Sequence, residues 1–206
     1  MKLVIVDYGA GNLHSVARAV QNQGVRPLIT STPRYLKDAD AIIVPGVGAA
    51  EDTMANLRRC KMVEPIRAYI ASGKPFLGVC MGQQALLDVS EEGGEHECMG
   101  IVHGRVVKLP AGLKVPHMGW NRVHYRRPHP IFEGIPDDSY FYFVHSYYPR
   151  PDDPDVVIGE TEYGTTFPSV IAQDNIVATQ FHPEKSGEMG LRMYANFLRI
   201  ASGVAA

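Results

Sequence analysis

The chain has 206 residues, 45% of them hydrophobic and 20% charged, with a formal net charge of −2. Such a balance fits a globular chain able to bury a sizeable core, and it excludes a basic footprint for nucleic acid or a polybasic membrane patch. Three cysteines, Cys60, Cys80 and Cys98, lie far apart with no C-x-x-C pair, which excludes a disulfide framework or a zinc knuckle and points to a reducing compartment.

"KLVIVDYG" reads as a buried parallel strand. Its apolar run before Asp7 is too short for a signal peptide, and no later run approaches a membrane span, so a cytoplasmic location is expected. "NLHSVARAVQNQG" follows as a helix with its apolar stripe at Leu13, Val16, Ala17 and Val20, stopped by Gly24. "RPLIT" is a short second strand, and "ADAIIVPGVG" a third, cut off at Pro45-Gly46. "DTMANLRRCKMVEPIRAYIASG" carries helical periodicity interrupted at Pro65 and closed by Gly73. "PFLGVCMGQQALLDV" begins as a fourth strand and ends as a helix. This alternation is the signature of a parallel sheet covered on both faces.

The second half is strand-rich: "GIVHGRVVKLP", "HMGWNRVHY", "SYFYFVHSYY", "VVIGETEYG" and "FPSVIAQDNIVATQFHPE". Asp174-Asn175 separates two alternating runs as a hairpin turn. "YYPRPDDPD" reads as a proline-rich surface loop, and "GEMGLRMYANFLRIA" as a closing helix. With no repeat or linker, residues 1–206 are expected to form one α/β domain: a three-layer sandwich around a mostly parallel sheet, with extra antiparallel strands in the second half.

Cys80 stands at the strand-to-helix junction with Gly78 and Gly82 on either side. Glycine weakens strands and helix starts by about 0.5–1 kcal/mol relative to alanine. A sharp turn there exposes its central residue at the carboxyl edge of the sheet, and small neighbours at −2 and +2 let the backbone bend, as around a nucleophile elbow. A helix N-terminus favours thiolate and leaves amides free to stabilise an oxyanion. A buried inert cysteine is the competing reading for Cys80. Cys60 and Cys98 have no elbow.

A nucleophilic thiol needs a base and an orienting group. His182 follows the apolar strand "IVATQF", is held extended by Pro183, and is followed two residues on by Glu184. Cys80, His182 and Glu184 therefore take triad roles. "PGVG", Pro45 to Gly48, offers a second source of uncovered amides. Among the other histidines, His117, His124 and His129 read as surface or turn residues and His145 as structural. "EHEC" with His103 lacks metal-ligand spacing, so no metal is expected.

"GVCMGQQ" and the late "HPE" resemble the class I glutamine amidotransferases, which carry a G-x-C-x-G-x-Q elbow and a late H-x-E. "DYGAGN", "PGVG", "PHMGWN", "YFVHSY" and "QFHPEKS" are similar to the branch formed by glutaminase subunits of imidazole glycerol phosphate synthases. The resemblance spans about residues 3 to 200. It implies a flavodoxin-like amidotransferase fold and hydrolysis of glutamine to glutamate and ammonia through a thioester on Cys80, without a cofactor. Oxyanion donors would come from Val47 or Gly48 together with Met81. Gln84 and the backbone near Ser146 and Tyr147 would hold the amino-acid end of the substrate.

The same resemblance implies a heterodimer with a (β/α)8-barrel cyclase, which uses the ammonia to make imidazole glycerol phosphate in histidine biosynthesis. Asn12, Met118, Gly119, Trp120, Asn121, Tyr142 and Lys185 would face that partner. Competing readings are a glutaminase subunit of another ammonia-using synthase, such as a pyridoxal phosphate synthase, and a non-catalytic interaction module that keeps the elbow as scaffold. The stretch from Ser90 to Gly100 has no assigned role.

Overall fold

Strands β1 (Leu3–Val6), β2 (Leu28–Thr30), β3 (Ala41–Gly46) and β4 (Phe76–Cys80) form the parallel half of the computed structural model, which describes residues 1–203. β1, β3 and β4 are buried along their whole length, as continuous apolar runs require when both faces of a sheet are covered. Alternate residues feed opposite cores. Leu3, Ile5, Ile43, Leu77 and Val79 pack in one cluster, with Val4, Val6, Ile42, Val44 and Phe76 in the other.

Helix α1 (Leu13–Gln21) covers the first face with Val16, Ala17 and Val20, and Asn12 caps it by accepting from the Ser15 amide at 3.3 Å. A single helical turn, α2 (Arg34–Lys37), precedes β3. Helices α3 (Ala50–Arg59) and α4 (Val63–Ala71) cover the second face through Met54, Leu57, Ile66 and Tyr69. The break between them lies at Cys60–Met62, where Lys61 takes a positive φ of 54°, and not at Pro65 as expected. Pro65 is the third residue of α4, a position whose amide has no intrahelical acceptor, so proline costs little there.

β3 also departs from expectation by running through Pro45 and Gly46, which pair with Val79 and Cys80 of β4. Its β1 neighbour pairs only as far as Ile43, so Pro45 interrupts no ladder bond on that side. Beyond β4 the helix is one turn, α5 (Met81–Gln84), rather than a long element. The chain from Met81 to Leu87 is buried with no polar face, and the Leu86 carbonyl accepts from Ile101 and Val102 while that of Leu87 accepts from Gly100. Tertiary bonds take over before a second helical turn forms.

The chain then builds β5 (Val89–Ser90), β6 (His96–Glu97), β7 (Gly104–Lys108), β8 (His117–Tyr125), β9 (Ser139–His145) and β10 (Tyr147–Pro151). β11 (Val157–Glu162), β12 (Thr166–Gln173), β13 (Ile176–Thr179) and helix α6 (Gly187–Ala201) follow. One nine-stranded sheet has the order β2-β1-β3-β4-β13-β12-β11-β8-β9, and a four-stranded sheet has the order β10-β7-β5-β6. β13 joins β4 in parallel, and β12, β11, β8 and β9 extend the sheet antiparallel. Asp174, with φ 50°, turns β12 into β13 at the expected hairpin.

"YYPRPDDPD" is not all loop, because Tyr147–Pro151 pairs with β7. The Ser146 carbonyl accepts from Leu109 and the Asp152 amide donates to His103, so even positions face β7. Pro149 and Pro151 then face the open edge, where a strand needs no donors. α6 closes the first core with Met193, Tyr194 and Phe197. Among the described residues no helix is long and apolar enough to cross a membrane.

Candidate active site

Cys80 ends β4 with φ 54° and ψ −106°, a left-handed backbone that a non-glycine residue holds at a cost of about 1–3 kcal/mol. The flanking glycines explain how it is held. A Cβ on Gly78 would stand 2.6 Å from the Gly82 carbonyl oxygen, and one on Gly82 would overlap the carbonyl oxygen of Val44. On the neighbouring strand, a Cβ on Gly46 would come within 2.5 Å of the Met81 Cβ and the Tyr8 hydroxyl. Backbone approaches backbone where side chains are absent, and the turn is clamped into the conformation that presents the thiol.

His182 reaches the same edge by a different route. β13 lies beside β4 with Thr179 opposite Val79, so the chain leaving β13 passes the carboxyl end of β4. The His182 backbone is extended (φ −104°, ψ 97°), as a residue before proline should be. Glu184 does not reach it by strand alternation, however, since Pro183–Lys185 forms a 3-10 turn. That turn brings Glu184 Oε1 to 2.9 Å from His182 Nδ1. Both side chains are almost wholly buried, at 1% and 2% exposure. The His182 amide donates to the Tyr142 carbonyl, and the Ser186 hydroxyl donates to the His182 carbonyl, fixing the segment against β9.

With Nδ1 given to Glu184, the other imidazole nitrogen, Nε2, is buried and has no hydrogen-bond partner among the described residues. Burial opposes protonation of this ring. The negative charge of an ionised thiol at Cys80, and then the Glu184 carboxylate, outweigh burial and push the imidazole up to about 10. A thiolate–imidazolium pair is the arrangement that an activated cysteine uses. The thiol sulfur also accepts from Gln180 Nε2 at 3.7 Å.

Cys80 and His182 share a cavity of about 130 Å³ with Val47, Gly48 and Met81. Gln84, Ser146 and Tyr147 also line it. Gly48 has φ 99°, and among the described residues nothing lies within 4 Å of where its Cβ would be, so this turn is as open as the elbow is crowded. Gln84 donates to the Tyr147 carbonyl at 2.8 Å and to Gln180 Oε1 at 2.9 Å, leaving its own carbonyl oxygen buried without a partner among the described residues. A larger groove of about 660 Å³ along β8 and β11 holds none of the elbow residues.

Sequence reasoning missed three lining or supporting groups. Glu92, from the stretch left without a role, lines the cavity and accepts from the Ala50 amide at 2.8 Å. Gln180 is fully buried beside the thiol. Its signal was legible as an amide interrupting an apolar strand run. His117 is a correction: it is not at the surface but 3% exposed, stacked between Phe143 and Tyr163 at 4.9 and 4.1 Å. Its segment hides this burial because apolar Met118 and Trp120 face outward with Arg122 while His117 and Val123 face the core.

The residues expected to face a partner divide in two. Met118 and Trp120 are 62% and 56% exposed, with the Tyr142 ring 6.1 Å from Trp120 and Lys185 Nζ 5.7 Å from that of Tyr142. Gly119 lies between them with φ 133°. Asn121 instead turns inward, donating to the Glu162 carbonyl at 2.9 Å, and Asn12 is occupied as the cap of α1.

The family description "Glutamine amidotransferase class-I" matches residues 4–201. Imidazole glycerol phosphate synthase subunit HisH of Dehalococcoides mccartyi strain CBDB1 is 48% identical over 98% of both chains. The subunit of that name from Aquifex aeolicus is 46% identical, again over 98% of each. A putative GMP synthase subunit from Thermoplasma acidophilum superimposes with a TM-score of 0.74 at 23% identity, covering 98% of this chain and 94% of that one. A chain of PurLQS from Thermotoga maritima gives 0.78 at 19% identity, covering 97% and 98%. At those identities the structural likeness carries the fold alone. The chain belongs to the class-I glutamine amidotransferases and, within them, to the family of the imidazole glycerol phosphate synthase subunit HisH.

Proposed function

We propose that this chain hydrolyses glutamine in an imidazole glycerol phosphate synthase and passes the ammonia to a (β/α)8-barrel cyclase in the cytoplasm. The observation that carries the chemistry is the meeting of an elbow cysteine and a Glu184-held imidazole in one small cavity. The Cys80 thiolate attacks the side-chain amide carbon of glutamine, and the carbonyl oxygen takes the negative charge. We assign the amides of Met81 and of Gly48 or Val47, which line the cavity, as donors to that charge. As the tetrahedral adduct collapses, the imidazolium gives its proton to the leaving nitrogen; ammonia departs and a thioester remains. Water then attacks the thioester, His182 takes its proton, and glutamate leaves with the thiolate restored. Glu184 holds the ring in the required tautomer throughout.

To Gln84, the Ser146–Tyr147 backbone and Glu92, which line the same cavity, we assign the amino-acid end of the substrate, with Glu92 as the counter-charge to its ammonium. Aromatic and methionine side chains are enriched at protein interfaces, and exposed Met118 and Trp120 beside Tyr142 and Lys185 make the face we assign to the cyclase. Relatives nearly half identical over almost the whole chain favour this pathway over pyridoxal phosphate synthesis. Glutamate release measured with and without a barrel cyclase tests the proposal. Release that depends on Cys80 and feeds cyclisation of the ribonucleotide is expected; no glutamate with the cyclase and its substrate present contradicts it.

A further inference from the structure

His117 and His145 face each other across β8 and β9, in register and both buried, at 3% and 6% exposure. Polar rings in such a place need partners, and their hydrogen bonds fix every proton. The Tyr147 carbonyl only accepts, so His145 Nδ1, 2.9 Å away, carries a hydrogen. In a neutral ring His145 Nε2 then accepts, and the donor is His117 Nδ1 at 2.9 Å. His117 Nε2 accepts in turn from the Asn121 amide at 3.2 Å. The bonds run in one direction, from Asn121 through two neutral rings to a carbonyl of the cavity wall. A proton added to either ring would set donor against donor. Burial keeps both neutral, pushing His117 down to about 4 and His145 to about 3.

The receiving carbonyl occupies a particular place. β9 ends at His145 in the nine-stranded sheet, and β10 begins at Tyr147 in the four-stranded one. Between them the chain crosses from one sheet to the other while forming the wall of the cavity at Val144 to Tyr147. The Tyr147 carbonyl is tied there by two side chains, His145 and Gln84. Gln84 continues to Gln180, and Gln180 to the Cys80 sulfur.

We propose that His117 and His145 are positioning residues for glutamine: as a neutral donor-to-acceptor pair they hold the Tyr147 carbonyl, and with it the wall that receives the amino-acid end of the substrate. This rests on the glutaminase reading and adds to it two residues outside the triad.

Steady-state glutamine hydrolysis with the cyclase present tests the proposal, using His145→Leu and His145→Asn. Leucine removes both ring bonds, whereas the asparagine amide nitrogen stands where Nδ1 stood and can still donate to Tyr147. His145→Leu is expected to raise KM for glutamine about tenfold, the scale of one lost buried hydrogen bond, with kcat changed far less. His145→Asn is expected to recover most of that rise, although both variants lose the bond from His117 and similar thermal stability. Should His145→Leu fail to fold, His117→Leu and His117→Asn are compared in the same way. A folded leucine variant with the parent KM, or an asparagine variant no better than leucine, overturns the proposal. A parent complex that releases no glutamate overturns the glutaminase reading itself.

Discussion

The two sides of the cavity differ in how tightly the fold determines them. On the elbow side, Gly46, Gly78 and Gly82 are each enclosed by backbone or side-chain atoms that a Cβ would strike, so Cys80 has little freedom. At the other turn that lines the cavity, Gly48 has a left-handed backbone and open space around it among the described residues. The proposed nucleophile and base are held by close packing; the proposed second oxyanion donor sits on an uncrowded turn. Preorganised donors contribute most to acyl transfer, so this asymmetry places the adjustable part of the chemistry in the turn rather than in the thiol.

Substitutions can break or sharpen that contrast. Cys80→Ala is expected to lower kcat for glutamine by more than about 10⁴-fold, the scale of losing a nucleophile from a triad, with the melting temperature little changed, because alanine keeps the Cβ and the same strained backbone. Gly82→Ala tests the clamp. Its Cβ would overlap the Val44 carbonyl, and overpacking of this kind costs about 3 kcal/mol, readable as a lower urea midpoint. Gly48→Ala meets no neighbour within 4 Å among the described residues but places a Cβ on a backbone with φ 99°, so it should lower that midpoint less, by the equivalent of about 1–2 kcal/mol. It should also lower kcat by up to about 10²-fold, the lower end of what loss of one oxyanion donor costs, with KM little affected. If both glycine variants lost stability equally, the distinction between a clamped and an open side would fail.

A smaller effect concerns pH. His117 and His145 stay neutral in the folded chain down to about 4 and about 3, owing to burial, while in the unfolded chain each takes up its proton near the ordinary value of about 6.5. Between those limits the unfolded state binds more protons, so stability falls as pH drops below about 6.5 and is fully present above it. The slope is about 1.4 kcal/mol per pH unit for each ring. Urea unfolding at several pH values should show this acid limb in the parent and a flatter one in the His117→Asn, His145→Asn double variant.

How much of this was legible follows from the range of the forces involved. The elbow could be read because its glycines sit two residues either side of Cys80, so the cause of the bend is local. The parallel half could be read because β1, β3 and β4 are buried on both faces and run largely apolar. His117 escaped because its stacking on Phe143 and Tyr163 joins β8, β9 and the turn after β11, and its own strand turns apolar Met118 and Trp120 outward. Glu92 escaped because its place at the cavity depends on the Ala50 amide, 42 residues away. The shortness of α5 depends on amides from Gly100 to Val102 that no local pattern announces.

Mass spectrometry after reaction with an electrophilic glutamine analogue, cyclase present, tests the central claim most directly. One adduct on the peptide that carries Cys80, blocked by glutamine and slowed in His182→Ala, is the predicted result. Adducts on Cys60 or Cys98 instead, or none at saturating analogue, would contradict it.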